Sequence, residues 1–269
     1  MLKDITIGQY VRGESFLHKM DARVKILLAL FYIVILFLAQ GSLSYLLLGV
    51  FVLFLVFESR VPLRFIVRGL KPMLFILIFT AVINIFMTPG DPIWQGKLIW
   101  TFTITKQGVR TGALMLLRLV FLVIGTSLLT LTTTPLMLTD GIEKLLKPLE
   151  KIKVPAHEIA MMMTIAIRFI PTLAEETDKI MKAQMARGAD FETGNILRRA
   201  KAMIPLLVPL FISAFRRADE LAMAMDARCY HGGRNRTRMK QMQAGWRDAF
   251  GAFAMTAVCT AIIFLDKII

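Results

Sequence analysis

The sequence predicts an all-α polytopic membrane protein, with about five transmembrane helices and a membrane-proximal domain of three amphipathic helices. Three observations carry this. Of 269 residues, 56% are hydrophobic and the mean hydropathy is +0.63, above the roughly 45–50% apolar content of a soluble domain. The apolar residues gather in runs near the length of about 20 that crosses a hydrocarbon core. The basic residues fall almost entirely between alternate runs.

The predicted spans are 22–39, 43–57, 72–88, 112–131 and 248–265, the second being short for a crossing. Residues 1–25 are polar and lack an apolar stretch before a small-residue cleavage site, so no signal peptide is expected and the first span acts as its own insertion signal. Five bases (Lys3, Arg12, Lys19, Arg23, Lys25) lie before span one or in its first turn, four (Arg60, Arg64, Arg68, Lys71) lie between spans two and three, and nineteen fall within 132–247. Only Lys97, Lys106 and Arg110 lie between spans three and four. The positive-inside bias then predicts a prokaryotic cytoplasmic-membrane protein with a cytosolic N-terminus and an external C-terminus. The division is 1–131 for the N-terminal segment and spans one to four, 132–247 for a cytosolic helical domain, and 248–269 for the final span.

A net charge of +14 could mark a nucleic-acid binder. Here the bases of 132–247 are interleaved with twelve acids and no aromatic ladder accompanies them, so membrane topology explains the charge and no nucleic acid is expected. Cys229 and Cys259 offer neither a disulfide framework nor metal-ligand spacing.

The 116 residues of 132–247 are too many for a connector and contain no low-complexity linker. Pro135 to Glu150 reads as a short amphipathic helix. Pro155 opens a longer one that stops at Gly188, and a third runs from about Asn195 to Tyr230, before Gly232 and Gly233. Pro171, Pro205 and Pro209 predict kinks. Runs 159–173 and 202–215 are nearly apolar enough to span, but crossing there would place the bases between them outside, so they are expected against the inner leaflet and other protein. This domain holds 11 of the 17 methionines. Met161, Met162 and Met163 suggest an adaptable partner surface, with core filling as the alternative.

Within the domain, Ala186-Arg187-Gly188 recurs 41 residues later as Ala227-Arg228-Cys229. The same offset superposes Asp178 on Asp219, Ile180 on Leu221 and Ala183 on Ala224. Residues three and four apart share a helix face. Ile180, Ala183 and Arg187 therefore form one stripe, as do Leu221, Ala224 and Arg228, each a peg with an apolar base, a small middle and a charged tip. A lone arginine at a helix C-terminus is favourable by about 0.3–1 kcal/mol without any partner. That term does not demand the accompanying Asp, Ile/Leu and Ala, so the repeat points to docking in two related sockets.

No catalytic or metal site is expected. His157-Glu158 imitates a zinc-protease helix but has Met161 where the second histidine belongs. Gly90 to Leu98 imitates a phosphate loop with one residue too many between the glycines, and Leu98 where Ser or Thr must stand. The spans are expected to lack carboxylates, which disfavours a proton or sodium relay and a self-sufficient permease. Arg118 in span four is either a site or a snorkelling cation. Asn84 is expected to bond between helices, and Ala252, Thr256 and Thr260 to form a packing ridge.

Three motifs together resemble a known family: Tyr10-x2-Gly13-x-Ser15-x-Leu17-His18-x2-Asp21-x-Arg23-x-Lys25, Arg168-Phe169-Ile170-Pro171-x2-Ala174-Glu175-Glu176, and the paired Ala-Arg-x tips. The chain resembles the transmembrane coupling component, or T component, of energy-coupling factor (ECF) transporters, modular ABC importers for vitamins and transition-metal ions. The resemblance implies that the two tips insert into two ABC-type ATPase subunits, which bind ATP and Mg, while this chain binds no cofactor. It also implies that the coupling helices and membrane domain hold a membrane-embedded substrate-binding S component. Cys229 departs from the glycine usual in the motif, so a different cap is expected there. A membrane enzyme with a cytosolic site is the competing reading, against which the broken motifs weigh.

Overall fold

The computed structural model describes residues 10–97, 101–191, 193, 195–232 and 245–268. The far N-terminal residues, Leu98, Gly233 and the basic run 234–240 lie outside these. The chain divides into two compact units, Gly8–Gly141 with Met242–Ile269, and the described residues of Ile142–Gln241.

The first unit begins with α1 (Phe16–Lys19), α2 (Ala22–Leu38) and α3 (Ser42–Ser59). A helical run then continues through α4 (Leu63–Leu70), a 3₁₀ turn at Lys71–Met73, and α5 (Leu74–Met87). An antiparallel hairpin, β1 (Pro92–Lys97) and β2 (Thr101–Thr105), leads into α6 (Lys106–Thr132). After α7 (Pro135–Leu146) and the second unit, α10 (Trp246–Ile268) closes the chain. Four of the described helical stretches are long and apolar enough to cross a membrane: Ser42–Ser59, Leu63–Met87, Lys106–Thr132 and Trp246–Lys267. Helix α2, at 17 residues, rises about 26 Å.

Hydrogen bonds at the helix ends order these passes. At one end Asp248 Oδ1 accepts from the Asp21 N–H at 2.8 Å, joining the starts of α2 and α10. The last carbonyls of α6 end there too. Leu131 O accepts from the Val11 N–H at 2.9 Å, and Thr132 O from Lys25 Nζ at 3.1 Å. At the other end the Asp266 carboxylate receives the N–H groups of Gln40 and Gly41 and the Ser44 hydroxyl, tying α10 to the α2–α3 corner. The passes therefore alternate, with α2 and α10 parallel and α3 and α6 placing opposite termini at these two ends.

The N-terminal motif is the collar of this bundle. Ser15 Oγ lies 2.6 Å from His18 Nδ1, His18 Nε2 lies 2.9 Å from Val11 O, and Tyr10 packs edge-on against the imidazole. A Cβ on Gly13 would meet that ring at 2.8 Å. Asp21 caps α2 through the Arg23 N–H and pairs with the Arg23 guanidinium at 2.5 Å. The core beneath contains Tyr32, Ile35, Leu36, Leu48, Val52, Leu128, Leu131 and Ile262.

Helix α5 sits against α6 where two glycines four apart leave room. A Cβ on Gly108 would reach Ile85 O at 2.6 Å, and one on Gly112 would reach Ala81 O at 3.1 Å. This is the small-residue spacing that lets helix backbones approach in lipid.

Several expectations are corrected. The second span is a full 18-residue helix, and the run containing the third begins nine residues early, at Leu63. The span drawn as 248–265 opens on a carboxylate, Asp248, which holds the Asp21 N–H. Asn84 Nδ2 bonds Thr80 O in its own helix at 2.9 Å, satisfying the amide on the carbonyl one turn back. Arg118 is held by protein partners. Its guanidinium donates to Tyr45 Oη at 2.6 Å and Ala39 O at 2.9 Å, and lies over the Phe37 and Tyr45 rings, pinning α6 to the α2–α3 corner. Thr256 and Thr260 are exposed and bond their own helix, so their ridge is not packed against the described chain, and Met255 and Ile262 are buried instead.

Candidate docking site

The second unit centres on two 31-residue helices, α8 (Ala156–Ala186) and α9 (Ile196–Asp226). Pro155 is the N-cap of α8, just before the first helical residue. Pro171 lies inside α8, and Pro205 and Pro209 inside α9, without ending either helix. Before them, α7 gives way to a 3₁₀ segment, Lys147–Ile152.

The two long helices run antiparallel. Gln184 Nε2 donates to Pro205 O at 3.4 Å, whereas earlier in α8 Glu176 meets residues later in α9. Its Oε1 accepts from Ser213 Oγ at 2.6 Å and its Oε2 from Arg217 Nη2 at 2.7 Å. Both charged partners are partly buried, where a charge-assisted bond contributes about 1.5–3 kcal/mol. Arg217 stands 41 residues after Glu176, the offset that relates the two pegs. The clamp thus joins equivalent positions of the two copies. Arg187 and Arg228 each follow their own clamp residue by about three helical turns, in opposite directions, so the tips stand roughly 35 Å apart.

Each tip ends in the same backbone motif. At the first, the Ala189 N–H bonds Gln184 O at 2.9 Å and the Gly188 N–H bonds Met185 O at 3.0 Å, with Gly188 at φ +87°. At the second, the Tyr230 N–H bonds Met225 O at 3.1 Å and the Cys229 N–H bonds Asp226 O at 2.9 Å, with Cys229 at φ 54°. Both are Schellman caps, in which crossed bonds satisfy the last carbonyls and one residue turns left-handed. The expectation of a different cap at Cys229 is therefore corrected. The cysteine takes the left-handed conformation at a cost of about 1–2 kcal/mol, because the crossed bonds require it.

Ala186, Arg187, Gly188, Ala227, Arg228 and Cys229 are all exposed, as are Ala183 and Ala224, while Ile180 and Leu221 at the stripe bases are half-buried. No ion pair of Arg187 or Arg228 occurs among the described residues. Each cation is thus carried, exposed, on a backbone whose course the crossed bonds fix. Met162 is exposed, and Met161 and Met163 are half-buried.

A chain of contacts missed in the sequence backs the second tip. Tyr230 Oη lies 3.3 Å from His157 Nε2, and His157 Nδ1 lies 3.2 Å from Glu143 Oε1. The histidine singled out as a broken zinc motif braces the α9 cap instead. Among the described residues no group of three or more His, Cys, Asp or Glu side chains could hold a metal ion. Residues 92–97 of the phosphate-loop mimic form strand β1.

Comparison with known proteins decides the family. A family model described as cobalt transport protein (CbiQ) matches residues 13–239. The energy-coupling factor transporter transmembrane protein EcfT of Clostridium kluyveri is 58% identical over 266 residues, covering 98% of this chain and 97% of the relative. Proteins of the same name from Acidaminococcus fermentans and Bacillus subtilis are 54% and 47% identical, each over 98% of this chain and at least 98% of the relative. The chain belongs to the T-component family of ECF transporters. As a T component it is a multi-pass membrane protein of a transporter. Its collar, its Glu176 clamp and its two capped tips all lie on the motifs that carried the resemblance.

Proposed function

We propose that this T component couples two ABC-type ATPase subunits to a membrane-embedded S component during micronutrient uptake. The observation that carries the reading is the pair of identically capped arginine tips at opposite ends of one clamped helix pair. Two related pegs roughly 35 Å apart suit two related grooves. ATP and Mg bind and react on the ATPases, and this chain supplies no catalytic group. When the grooves open and close they move α8 and α9 as levers, and the levers tilt or release the S component so that its cargo reaches the cytosol. The S component selects the cargo, a vitamin or a transition-metal ion, and Met161, Met162 and Met163 contribute to the surface that meets it. The bias of basic residues toward alternate connectors supports a cytosolic N-terminus and a C-terminus outside the prokaryotic cell membrane.

Reconstitution tests this. The isolated chain in proteoliposomes should neither hydrolyse ATP nor move substrate, and adding co-purified ATPases and S component should confer both. Hydrolysis by the chain alone would favour the membrane enzyme, and uptake by the chain alone the permease.

A further inference from the structure

Helix α4 is a short amphipathic segment at the basic end of the first unit. Arg64, Arg68 and Lys71 follow one another at spacings of four and three, so they form one stripe, with Arg60 preceding them. All four are exposed, and none makes an ion pair among the described residues. The acid nearest in sequence, Glu58 at the end of α3, is exposed as well. Arg68 lies 6.0 Å over the Phe65 ring, which holds its guanidinium beside an apolar surface. The run Leu63–Met87 has 25 residues and rises about 37 Å, longer than the roughly 30 Å of a hydrocarbon core, which leaves α4 at headgroup depth.

Beside this cation stripe a groove of about 370 Å³ opens between the α4–α5 run and α6. Arg68 and Ser127 lie at its basic end, and Met73, Leu77, Leu119 and Val123 line the rest. From Gly69 to Leu77 it extends about 12 Å toward the middle of the span. Gly69 keeps this end open, since a Cβ there would meet Ser127 Oγ at 3.2 Å. One end therefore offers cations and a hydroxyl, and the remainder offers hydrocarbon.

We propose that this groove binds one anionic phospholipid, its phosphate against Arg68 and the flanking Arg64 and Lys71, and one acyl chain along Leu77, Leu119 and Val123. Charge complementarity selects a lipid over an apolar protein helix, because a helix would leave the stripe unpaired. Each cation near an anionic headgroup strengthens binding by roughly fivefold, about a hundredfold for three. The site lies in the membrane unit and is independent of the tips, so its failure leaves the docking assignment intact.

Native mass spectrometry of the full-length chain in detergent, titrated with phosphatidylglycerol, phosphatidylcholine of the same acyl chains, or glycerol 3-phosphate, tests the site. One phosphatidylglycerol per chain should be retained in preference to phosphatidylcholine, and glycerol 3-phosphate should not bind. Joint replacement Arg64→Gln, Arg68→Gln and Lys71→Gln should weaken retention by about a hundredfold, and Val123→Trp, which fills the groove, should abolish it. Lys106→Gln, at the opposite end of α6, should change nothing. Should Val123→Trp fail to fold, the exposed cation variants carry the test. Equal retention of phosphatidylcholine, binding of glycerol 3-phosphate alone, or wild-type affinity in the cation variant overturns the proposal. So does a co-purifying membrane protein that Val123→Trp displaces, which assigns the groove to protein.

Discussion

The two tips share a backbone and differ in what stands behind it. At the first, Gly188 takes the left-handed turn without steric cost and Ala189 follows with only a methyl group. At the second, Cys229 takes the same turn under strain, and the residue that follows is Tyr230, held through His157 to Glu143. What the two ends conserve is the crossed cap that aims an arginine. The second holds a poorer residue in that cap, and the Tyr230–His157–Glu143 contacts tether it. Each tip reaches the same cap geometry by a different balance of local preference and tertiary support.

The largest effect that can separate the tips is charge reversal. Arg187→Glu and Arg228→Glu should each weaken binding of purified ATPase subunits by more than the about 2–5 kcal/mol expected for truncation to alanine, because a cation-binding groove would meet an anion. Titration of each variant against the ATPases reads this, and a tip that tolerates Glu as well as Ala is not docked through its charge.

The clamp comes next. Spin labels at Cys229 and at an introduced Ala189→Cys, with Cys259 replaced by Ser, should report a narrow distance distribution near roughly 35 Å. Glu176→Ala should broaden it, since it abandons Arg217 and removes about 1.5–3 kcal/mol of charge-assisted bonding. Exchanging the pair as Glu176→Arg with Arg217→Glu should restore the narrow distribution. An unchanged width in Glu176→Ala would show that apolar packing alone sets the angle between α8 and α9.

The smallest effect concerns the strained cap. Cys229→Gly should stabilise the α9 terminus by about 0.5–1 kcal/mol, seen as slower amide exchange at Tyr230. Tyr230→Phe, which loses the His157 contact, should move exchange the other way by about 0.5–1.5 kcal/mol. The corresponding change at the first tip, Gly188→Ala, can only destabilise. Stabilisation there would mean that the left-handed turn is not needed.

Much of this architecture was legible in the residues. Apolar runs marked the crossings, Pro155 and Gly188 marked the ends of α8, and the 41-residue offset marked both tips. Periodicity does not say which neighbour a polar group finds, however. Arg118 and Asn84 each had several partners in reach, and the observed ones depend on which corner or carbonyl lies closest in three dimensions. The role of Glu176 was hidden for the same reason, although Arg217 stands at the repeat offset from it and an antiparallel pairing of the copies would have brought them together. The Cys229 cap runs against intrinsic preference, because the crossed bonds overrule it. The β1–β2 hairpin also had a signal in the residues, since Thr101-Phe102-Thr103-Ile104-Thr105 alternates polar and apolar side chains with period two, and the all-α reading passes over it.

The central claim is that Arg187 and Arg228 dock this chain onto two ATPases. Co-purification of both ATPases with tagged wild type, Arg187→Ala, Arg228→Ala and the double variant, each checked for membrane insertion, tests it directly. Each single change should weaken association, and the double change should abolish assembly and uptake while the membrane unit still inserts and folds. Wild-type yields of both ATPases on the double alanine variant, with transport intact, would contradict the claim and leave the arginines as cations that complement their own helix dipoles.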